Sequence, residues 1–440
     1  MGLLKQFDLN VAATSGARMY AFAAELYPIC RSITGNGIRE TLCRLGQRIP
    51  LEIAEVPSGT QVFDWTVPRE WNIREAYVNG PSGERIVDFR RCNLHVLNYS
   101  APVRARMPLA ELRTHLFTLP EYPDWIPYRT SYYRENWGFC LTQRQLDSLS
   151  EGDYEVVIES SLEDGYLTYG ECYLPGQSKD EVLISAHACH PSLANDNLSG
   201  LAVTAFLAEF LKGWDLRHSY RFLFIPGTIG AITWLARNQA QAARIRHGLV
   251  LTCVGDAGGF HYKKSRRGDA DIDRAMAHVI HHSGEPGELL EFSPYGYDER
   301  QYCSPGFNLA VGCLMRSIWG TFPEYHTSAD NLDFIHPESL ARSLRLCVAA
   351  IDLLERNQHY RNEQPYCEPQ LGKRNLYRPT GGGSIGDENM ARLWVLNLSD
   401  GEHSLLEIAE RAGLPFATVC DAAEALEGAG LLSVCKDENP

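Results

Sequence analysis

The chain has 440 residues, more than one hydrophobic core usually organises, because single cores stop growing at roughly 250–300 residues. A hydrophobic content of 44% with 22% charged residues is ordinary for folded globular proteins and excludes a disordered or fibrous class. The formal net charge of −14 argues against a nucleic-acid partner, since that affinity rests on Lys and Arg neutralising phosphates, and leaves small or peptidic ligands.

In chain order, the opening MGLLKQFDLNVAATSGARMY has no continuous apolar stretch, and nowhere do about 18 uncharged apolar residues run together. The expectation is a cytoplasmic chain without secretory signal or membrane association. Thirteen cysteines, an odd number without framework spacing, fit reduced thiols rather than disulfides. Helical stretches near Gly16 to Leu26 and Gly37 to Arg48 are suited to covering a sheet formed later in the chain. Between Gln61 and Leu149 the texture turns Pro- and aromatic-rich, with short alternating runs such as GERIVDFRR and NLHVLNYS and turn residues as in VNGPSG, which reads as an inserted β-rich domain over 61–149. Tyr154 to Tyr173 reads as a hairpin, VVIES and YLTYGECYL around Glu163-Asp164-Gly165.

From about 181 to 357, apolar runs alternate with longer amphipathic ones, the pattern of strand and helix units around a mostly parallel sheet. Strands are expected at Glu181 to His187, Tyr220 to Pro226, His247 to Gly255 and Asn308 to Arg316, and helices at Leu198 to Leu211, Ile229 to Gln239, Ile272 to His282 and Pro337 to Arg356. With the N-terminal helices this gives an α/β domain over 1–60 and 150–362. After Gln364 a Pro-, Gly- and Asn-rich linker ends in Gly381-Gly382-Gly383-Ser384, and 375–440 reads as a winged helix-turn-helix domain. Its would-be recognition helix, about Pro415 to Gly428, carries Asp421, Glu424 and Glu427 but no Lys or Arg, so intramolecular docking or a homo-oligomer contact is expected rather than DNA binding.

Candidate chemistry gathers at strand ends. His187 closes one strand, Asp196 follows nine residues later before a helix, Asp256 follows another strand in CVGDAGG, and His326 lies in EYHTSADNLD after the last strand. In open α/β sheets that edge forms ligand sites, and imidazole with carboxylate suits zinc. Singly, each has a plainer role: Asp196 as a helix cap, Asp256 as a turn carboxylate, each histidine as a satisfied core residue.

The segments SAHACHPSLANDNLSG, RFLFIPGTIGAITWL, CVGDAGG and EYHTSADNLD resemble, in order and spacing, the metal motifs of co-catalytic zinc aminopeptidases and glutamate carboxypeptidases of the phosphorylase/hydrolase-like fold. Nearly the whole chain, including LYPICRSITGNGIRETL and GYDERQYCSPGFNL, is similar to a bacterial aminopeptidase-like family with an inserted small domain and a C-terminal winged helix, often found near polysaccharide or natural-product genes. The resemblance implies that His187, Asp196 and Asp256 form one metal position and that Asp196 bridges toward His326 at a second. It also implies a Glu-Glu pair, general base then ligand, where this chain has Gly227 and Thr228. The similar bacterial family has Glu then Thr there, so Gly227 is the departure. Cys189 stands where the aminopeptidases keep a ligand-orienting Asp. With Thr228 in place of an anionic ligand, one zinc rather than two is expected, held by His187, Asp196 and His326 or Asp256, with His190 in reserve.

Glycine accepts no proton, and general acid–base assistance is typically worth ~10² to 10⁴ in rate. The expected function is therefore a zinc-dependent aminopeptidase or amidase, weakened at Gly227, acting on a small peptide or amide-linked metabolite. A non-hydrolytic aminoacyl or peptidyl binder, an acyl transferase and a transcriptional regulator are the alternatives. Glu324 and Glu299 are the nearest substitute carboxylates, although Glu324 equally suits a turn cap, and Asp298, Glu299 and Arg300 read first as a surface charge cluster. Arg300 is a candidate clamp for a substrate carboxylate.

Overall fold

A computed structural model describes residues 2–376 and 386–435. The expected Gly381-Gly382-Gly383-Ser384 linker lies outside the described residues. The chain divides into two compact units, one of residues 8–273 and 286–345 and one of residues 1–7, 274–285 and 346–440.

The larger unit is built on a sheet of eight strands, β1 (Glu52–Pro57) and, after four strands of a separate sheet, β2 (Glu70–Asn79), β3 (Arg85–Asp88), β4 (Val103–Pro108) and β5 (Asp153–Glu163), the strands β6 (Tyr166–Leu174), β7 (Glu181–His187), β8 (Ser219–Ile225), β9 (Ile245–Leu251), β10 (Phe260–Lys263), β11 (Gly287–Leu290) and β12 (Val311–Met315). Their order is β1-β6-β8-β7-β9-β12-β10-β11. The four central strands β8, β7, β9 and β12 run parallel, and antiparallel pairings at β1/β6, β6/β8 and β12/β10 extend the sheet at its edges. Every residue of β7 and β8 is buried, which follows from covering both faces of a parallel sheet. Leu183, Leu223, Ile225, Val250 and Val311 from these strands share one core with Trp234.

Helices follow the strands closely. α1 (Leu3–Asn10) precedes α2 (Ala12–Leu26) and α3 (Asn36–Gly46); α4 (Gly200–Leu211), α5 (Ile229–Arg237), α6 (Asp271–His281) and α7 (Pro337–Arg356) come later. α2 packs on α4, with the Phe22 and Phe206 rings 6.4 Å apart, and Leu42 of α3 lies against Gly170 of β6. Among the described residues no helix is long and apolar enough to cross a membrane. No disulfide links the thirteen cysteines, eight of which are buried.

The Tyr154 to Tyr173 segment corrects the hairpin expectation. Strands β2 (Glu70–Asn79), β3 (Arg85–Asp88), β4 (Val103–Pro108) and β5 (Asp153–Glu163) form an antiparallel sheet in the order β3-β2-β5-β4, so β5 pairs with β2 and β4 and not with β6. Glu163-Asp164-Gly165 has the composition of a hairpin turn, yet it marks the passage from one sheet to the other. Glu70 pins the crossing: its Oε2 accepts the Tyr166 N–H at 2.9 Å while Arg39 grips both carboxylate oxygens, and that guanidinium holds the Glu70 carboxyl down to about 2.

In the smaller unit, α8 (Asp387–Leu398), α9 (Leu405–Ala412) and α10 (Phe416–Gly428) join an antiparallel sheet of β13 (His359–Asn362), β14 (Asp400–Ser404) and β15 (Leu432–Val434). Ser404 and Glu407 form a capping box at the start of α9, and Gly413, in the left-handed region at φ 65°, ends it and sets the turn into α10. The sheet draws its central strand from 359–362, ahead of residue 375. Three acidic residues of these helices are engaged within the unit: Arg274 pairs with Glu407 and Glu410, and Arg356 with Glu424.

Candidate functional site

His187 is the last residue of β7, and three further groups converge on it. His190, three residues on, places Nδ1 2.9 Å from His187 Nε2. The turn over 194–199, entered before α4, presents Asp196 with Oδ1 2.9 Å from His187 Nε2 and 3.8 Å from His190 Nδ1. The other oxygen of Asp196 lies 3.0 Å from His326 Nε2, so the two Asp196 oxygens face different histidines. Among the described residues, the ligand-type atoms of His187, His190 and Asp196 lie within 4.8 Å of one another.

Burial alone would raise the Asp196 carboxyl, but the rings of His190, His187 and His326 outweigh it and hold the group well below the usual carboxylate range. Burial pushes His190 well below the usual histidine range, which keeps its nitrogens free of excess protons. A neutral imidazole and an ionised carboxylate are the protonation states that metal ligation requires.

The surrounding residues orient this set. Asn197 places Nδ2 3.3 Å from His187 Nδ1 and donates to Leu251 O at 2.9 Å. Asp330 is fully buried, and its two oxygens accept the N–H groups of Asn195 and Asp196. Arg31, from the LYPICR segment, is buried and donates through Nε to the His190 carbonyl at 2.9 Å and through Nη1 to Leu26 O at 2.7 Å. Tyr297 stacks on the His187 ring at 4.6 Å, Tyr325 stacks on His326 at 3.9 Å, and the two hydroxyls meet at 2.9 Å. His326 at φ 56°, Thr228 at φ 65° and Cys253 at φ 49° are non-glycine residues in the left-handed region, a form of strain that gathers where structure over-determines a site.

Of the residues singled out in the sequence, His187, Asp196 and His326 meet, and His190, named in reserve, is in the cluster. Asp256 stands outside it. Its oxygens accept hydrogen bonds from Asn195 Nδ2 (2.8 Å), Gly258 N (2.7 Å) and Ser317 Oγ (2.7 Å), which spends the carboxylate on loop structure. Glu324 closes a turn through its carbonyl, which accepts the Thr327 N–H at 3.1 Å. Asp298 and Glu299 correct the surface-cluster reading, because both are buried. Asp298 Oδ1 accepts the Thr228 N–H at 2.6 Å, burial pushes its carboxyl up to about 6, and Glu299 pairs with the buried Lys263 at 2.7 Å. Arg300 is half-buried, and its Nε has no hydrogen-bond partner among the described residues. Gly227 donates to Cys189 Sγ at 3.3 Å, and burial pushes that thiol up to about 12.

Asp330, Arg31 and the two tyrosines are the site residues that sequence reasoning missed. Asp330 offered one signal, its place four residues after His326, but a carboxylate that binds backbone N–H groups has no spacing signature. Arg31 lies far from the cluster in sequence.

Comparison with known proteins agrees with this architecture. Residues 20–357 match the model of a family described as a domain of unknown function, DUF4910, and residues 358–434 match a winged helix-turn-helix model. A protein of Clostridium acetobutylicum, provisionally described as a polysaccharide biosynthesis protein with an aminopeptidase-like domain, is 52% identical over 424 residues, covering 96% of this chain and 98% of that protein. The crystal structure of a provisionally assigned peptidase from the same organism superposes with a TM-score of 0.93 at 50% identity, over 98% of this chain and 100% of that one. A zinc aminopeptidase from Bacillus subtilis shares the fold at a TM-score of 0.57 and 13% identity, over 77% of this chain and 94% of that one. The chain therefore belongs to the DUF4910 family, with an aminopeptidase-like fold and a C-terminal winged helix-turn-helix domain.

Proposed function

We propose that the chain is a zinc-dependent hydrolase of the aminopeptidase or amidase type, acting on a small peptide or amide-linked metabolite, with its proton-transfer step weakened at Gly227. The observation that carries the reading is the convergence of His187 Nε2, His190 Nδ1 and Asp196 Oδ1. Tetrahedral ligands at about 2.0–2.1 Å from one ion stand about 3.3 Å apart. The three separations of 2.9, 2.9 and 3.8 Å bracket that value, and the donor set of two imidazoles and a carboxylate suits zinc. Asp196 Oδ1 is buried and, among the described residues, has no hydrogen bond of good geometry even though His187 Nε2 stands 2.9 Å away, as suits an oxygen that could hold a cation. His326 faces the other oxygen of Asp196 and stands outside this group of three, so the single-ion reading rests on Thr228, a neutral residue where a second ion would need an anionic ligand.

When bound, zinc supplies Lewis-acid polarisation of the scissile carbonyl and activates water as nucleophile. The chain's own part is to orient the ligands through Asn197, Asp330 and Arg31, to brace both rings with Tyr297 and Tyr325, and to shield one side of the cluster from solvent. At Gly227, where a general base is expected, there is backbone only. That observation favours a second reading, a protein that binds an aminoacyl or peptidyl ligand or transfers its acyl group to an amine. The winged helix joins neither reading as a DNA reader, since the acidic residues of α10 would face phosphates.

Metal analysis tests the proposal. Purified protein should carry about one zinc per chain, lost in His187→Ala; protein that takes up no zinc when supplied with it would sink the reading.

A further inference from the structure

A cleft of about 490 Å³ opens beside His326. One wall is the segment 126–128, which is stitched to the His326 loop: Tyr128 N donates to His326 O at 2.7 Å, Ser328 N to Ile126 O at 2.8 Å, and Pro127 forms a β-bridge with Thr327. Tyr122, Tyr128, Phe322 and Tyr325 give it aromatic surface. Tyr122 is 39% exposed and stacks on Trp125 at 4.6 Å, so its outer face is free to receive a flat group.

The charge of the cleft runs against that of the chain. Asp and Glu outnumber Lys and Arg by 55 to 41 overall, yet none of the twelve lining residues is a carboxylate. Glu324 sits in sequence between Pro323 and Tyr325, both of which line the cleft, but is not itself part of the lining. Arg129 is the one Lys or Arg there. Its side chain is exposed, it lies over the Phe117 ring at 5.5 Å, and it makes no ion pair among the described residues. Arg300 is not among the lining residues.

We propose that this cleft is the specificity subsite of the enzyme and takes a flat ring bearing a carboxylate, the ring packing on the tyrosine faces and the carboxylate meeting the Arg129 guanidinium. Offset aromatic stacking and a bidentate arginine–carboxylate contact are mutually compatible and together select this class. A substrate with an ammonium at that end finds no counter-charge in the lining and is repelled by Arg129. The inference rests on the reading of the His187 cluster as the reacting centre, and it extends that reading to the substrate: an amide whose ring portion is anionic.

The test is equilibrium binding of two isosteric probes, 4-aminobenzoate and 4-aminobenzamide, followed by tryptophan fluorescence on the full chain, both zinc-loaded and chelator-treated. Binding of 4-aminobenzoate should be about tenfold tighter, corresponding to one charge-assisted contact, in both metal states. Arg129→Ala and Arg129→Gln should abolish the preference, and Arg300→Ala should retain it. Equal affinity for the two probes, a preference that survives in both Arg129 variants, one lost in Arg300→Ala, or one that vanishes on chelation each overturns the assignment. Zinc content is measured on the same samples. Absence of zinc with the carboxylate preference intact would remove the hydrolase reading and leave the subsite standing; zinc without the preference would do the reverse.

Discussion

Asp330 holds the backbone of Asp196 in place: one of its carboxylate oxygens accepts the Asp196 N–H at 2.9 Å and the other the Asn195 N–H at 2.6 Å. The turn that aims Asp196 at His187 and His326 is thus fixed by a residue that touches neither histidine through a hydrogen bond. Outer partners of this kind typically tune metal affinity by roughly 10–100-fold. Asp330→Asn keeps the shape but sets an NH₂ against one backbone donor. Zinc affinity, read by competition with a chromogenic chelator, should fall within that range while the circular dichroism spectrum is preserved. An unchanged affinity would show that the turn holds itself.

Gly227 can accept a side chain. A Cβ there would sit 3.5 Å from Cys189 Sγ and 3.6 Å from His187 Cβ, which is ordinary van der Waals contact. Gly227→Glu should therefore fold, and a carboxylate beside the cluster should raise hydrolysis of a small aminoacyl amide by ~10² to 10⁴ if proton transfer is what the parent lacks. Should parent and variant both be inert while zinc is bound, the acyl-transfer or binding reading gains.

At the opposite end of strands β7 and β8, Arg221 reaches Glu181 through Nε at 2.7 Å and Nη2 at 3.0 Å and also bonds Glu171. Glu181 is fully buried. Removing one partner of such a pair strands the other charge and typically costs about 3–5 kcal/mol. Arg221→Met should lower the midpoint of chemical denaturation accordingly and leave zinc per folded chain unchanged, which separates this structural network from the site.

The sequence pattern carried the core of the fold well, and for a physical reason. β7 and α7 fall on their expected residues, Glu181 to His187 and Pro337 to Arg356, because an all-buried strand and a Pro-initiated amphipathic helix are local patterns. Strand partners are not local. The turn at Asp164 and Gly165 has hairpin composition, and only burial in three dimensions sends β5 and β6 into different sheets. The candidate site divides the same way: that His187, Asp196 and His326 come together was legible from their places after strands, whereas Asp256 shows identical placement but points its oxygens at Asn195, Gly258 and Ser317. The orientation of a side chain after a strand leaves no trace in spacing.

His278 gives the smaller unit a defined acid limit. It is buried, its Nε2 accepts the N–H of Phe416 at the start of α10 at 3.0 Å, and burial, followed by the rings of His282 and His281, pushes it down to about 4. The folded value lies below the unfolded value of about 6.5, so the unfolded chain binds the extra proton first. The stability contribution is complete above about 6.5 and is lost as pH falls toward about 4, on the order of 3 kcal/mol in total. Unfolding of the winged-helix unit, followed by circular dichroism from pH 7 to 4.5, should show this acid loss, and His278→Gln, which keeps an acceptor but cannot titrate, should flatten it.

The competing ligand assignments make opposite demands on two residues. If the cluster of His187, His190 and Asp196 is the metal site, His190→Ala removes a ligand and zinc affinity should fall by far more than tenfold, whereas Asp256→Asn, whose oxygens serve Gly258 and Ser317, should change affinity little and act mainly on stability. The reverse result would mean that zinc binding reorganises the 255–258 loop and draws Asp256 inward, at the cost of its four present hydrogen bonds. A third outcome has its own meaning. His187 Nε2 lies 2.9 Å from both His190 Nδ1 and Asp196 Oδ1, a spacing that also suits a hydrogen-bonded triad in which one proton is shared. In that case neither variant alters zinc binding because none occurs.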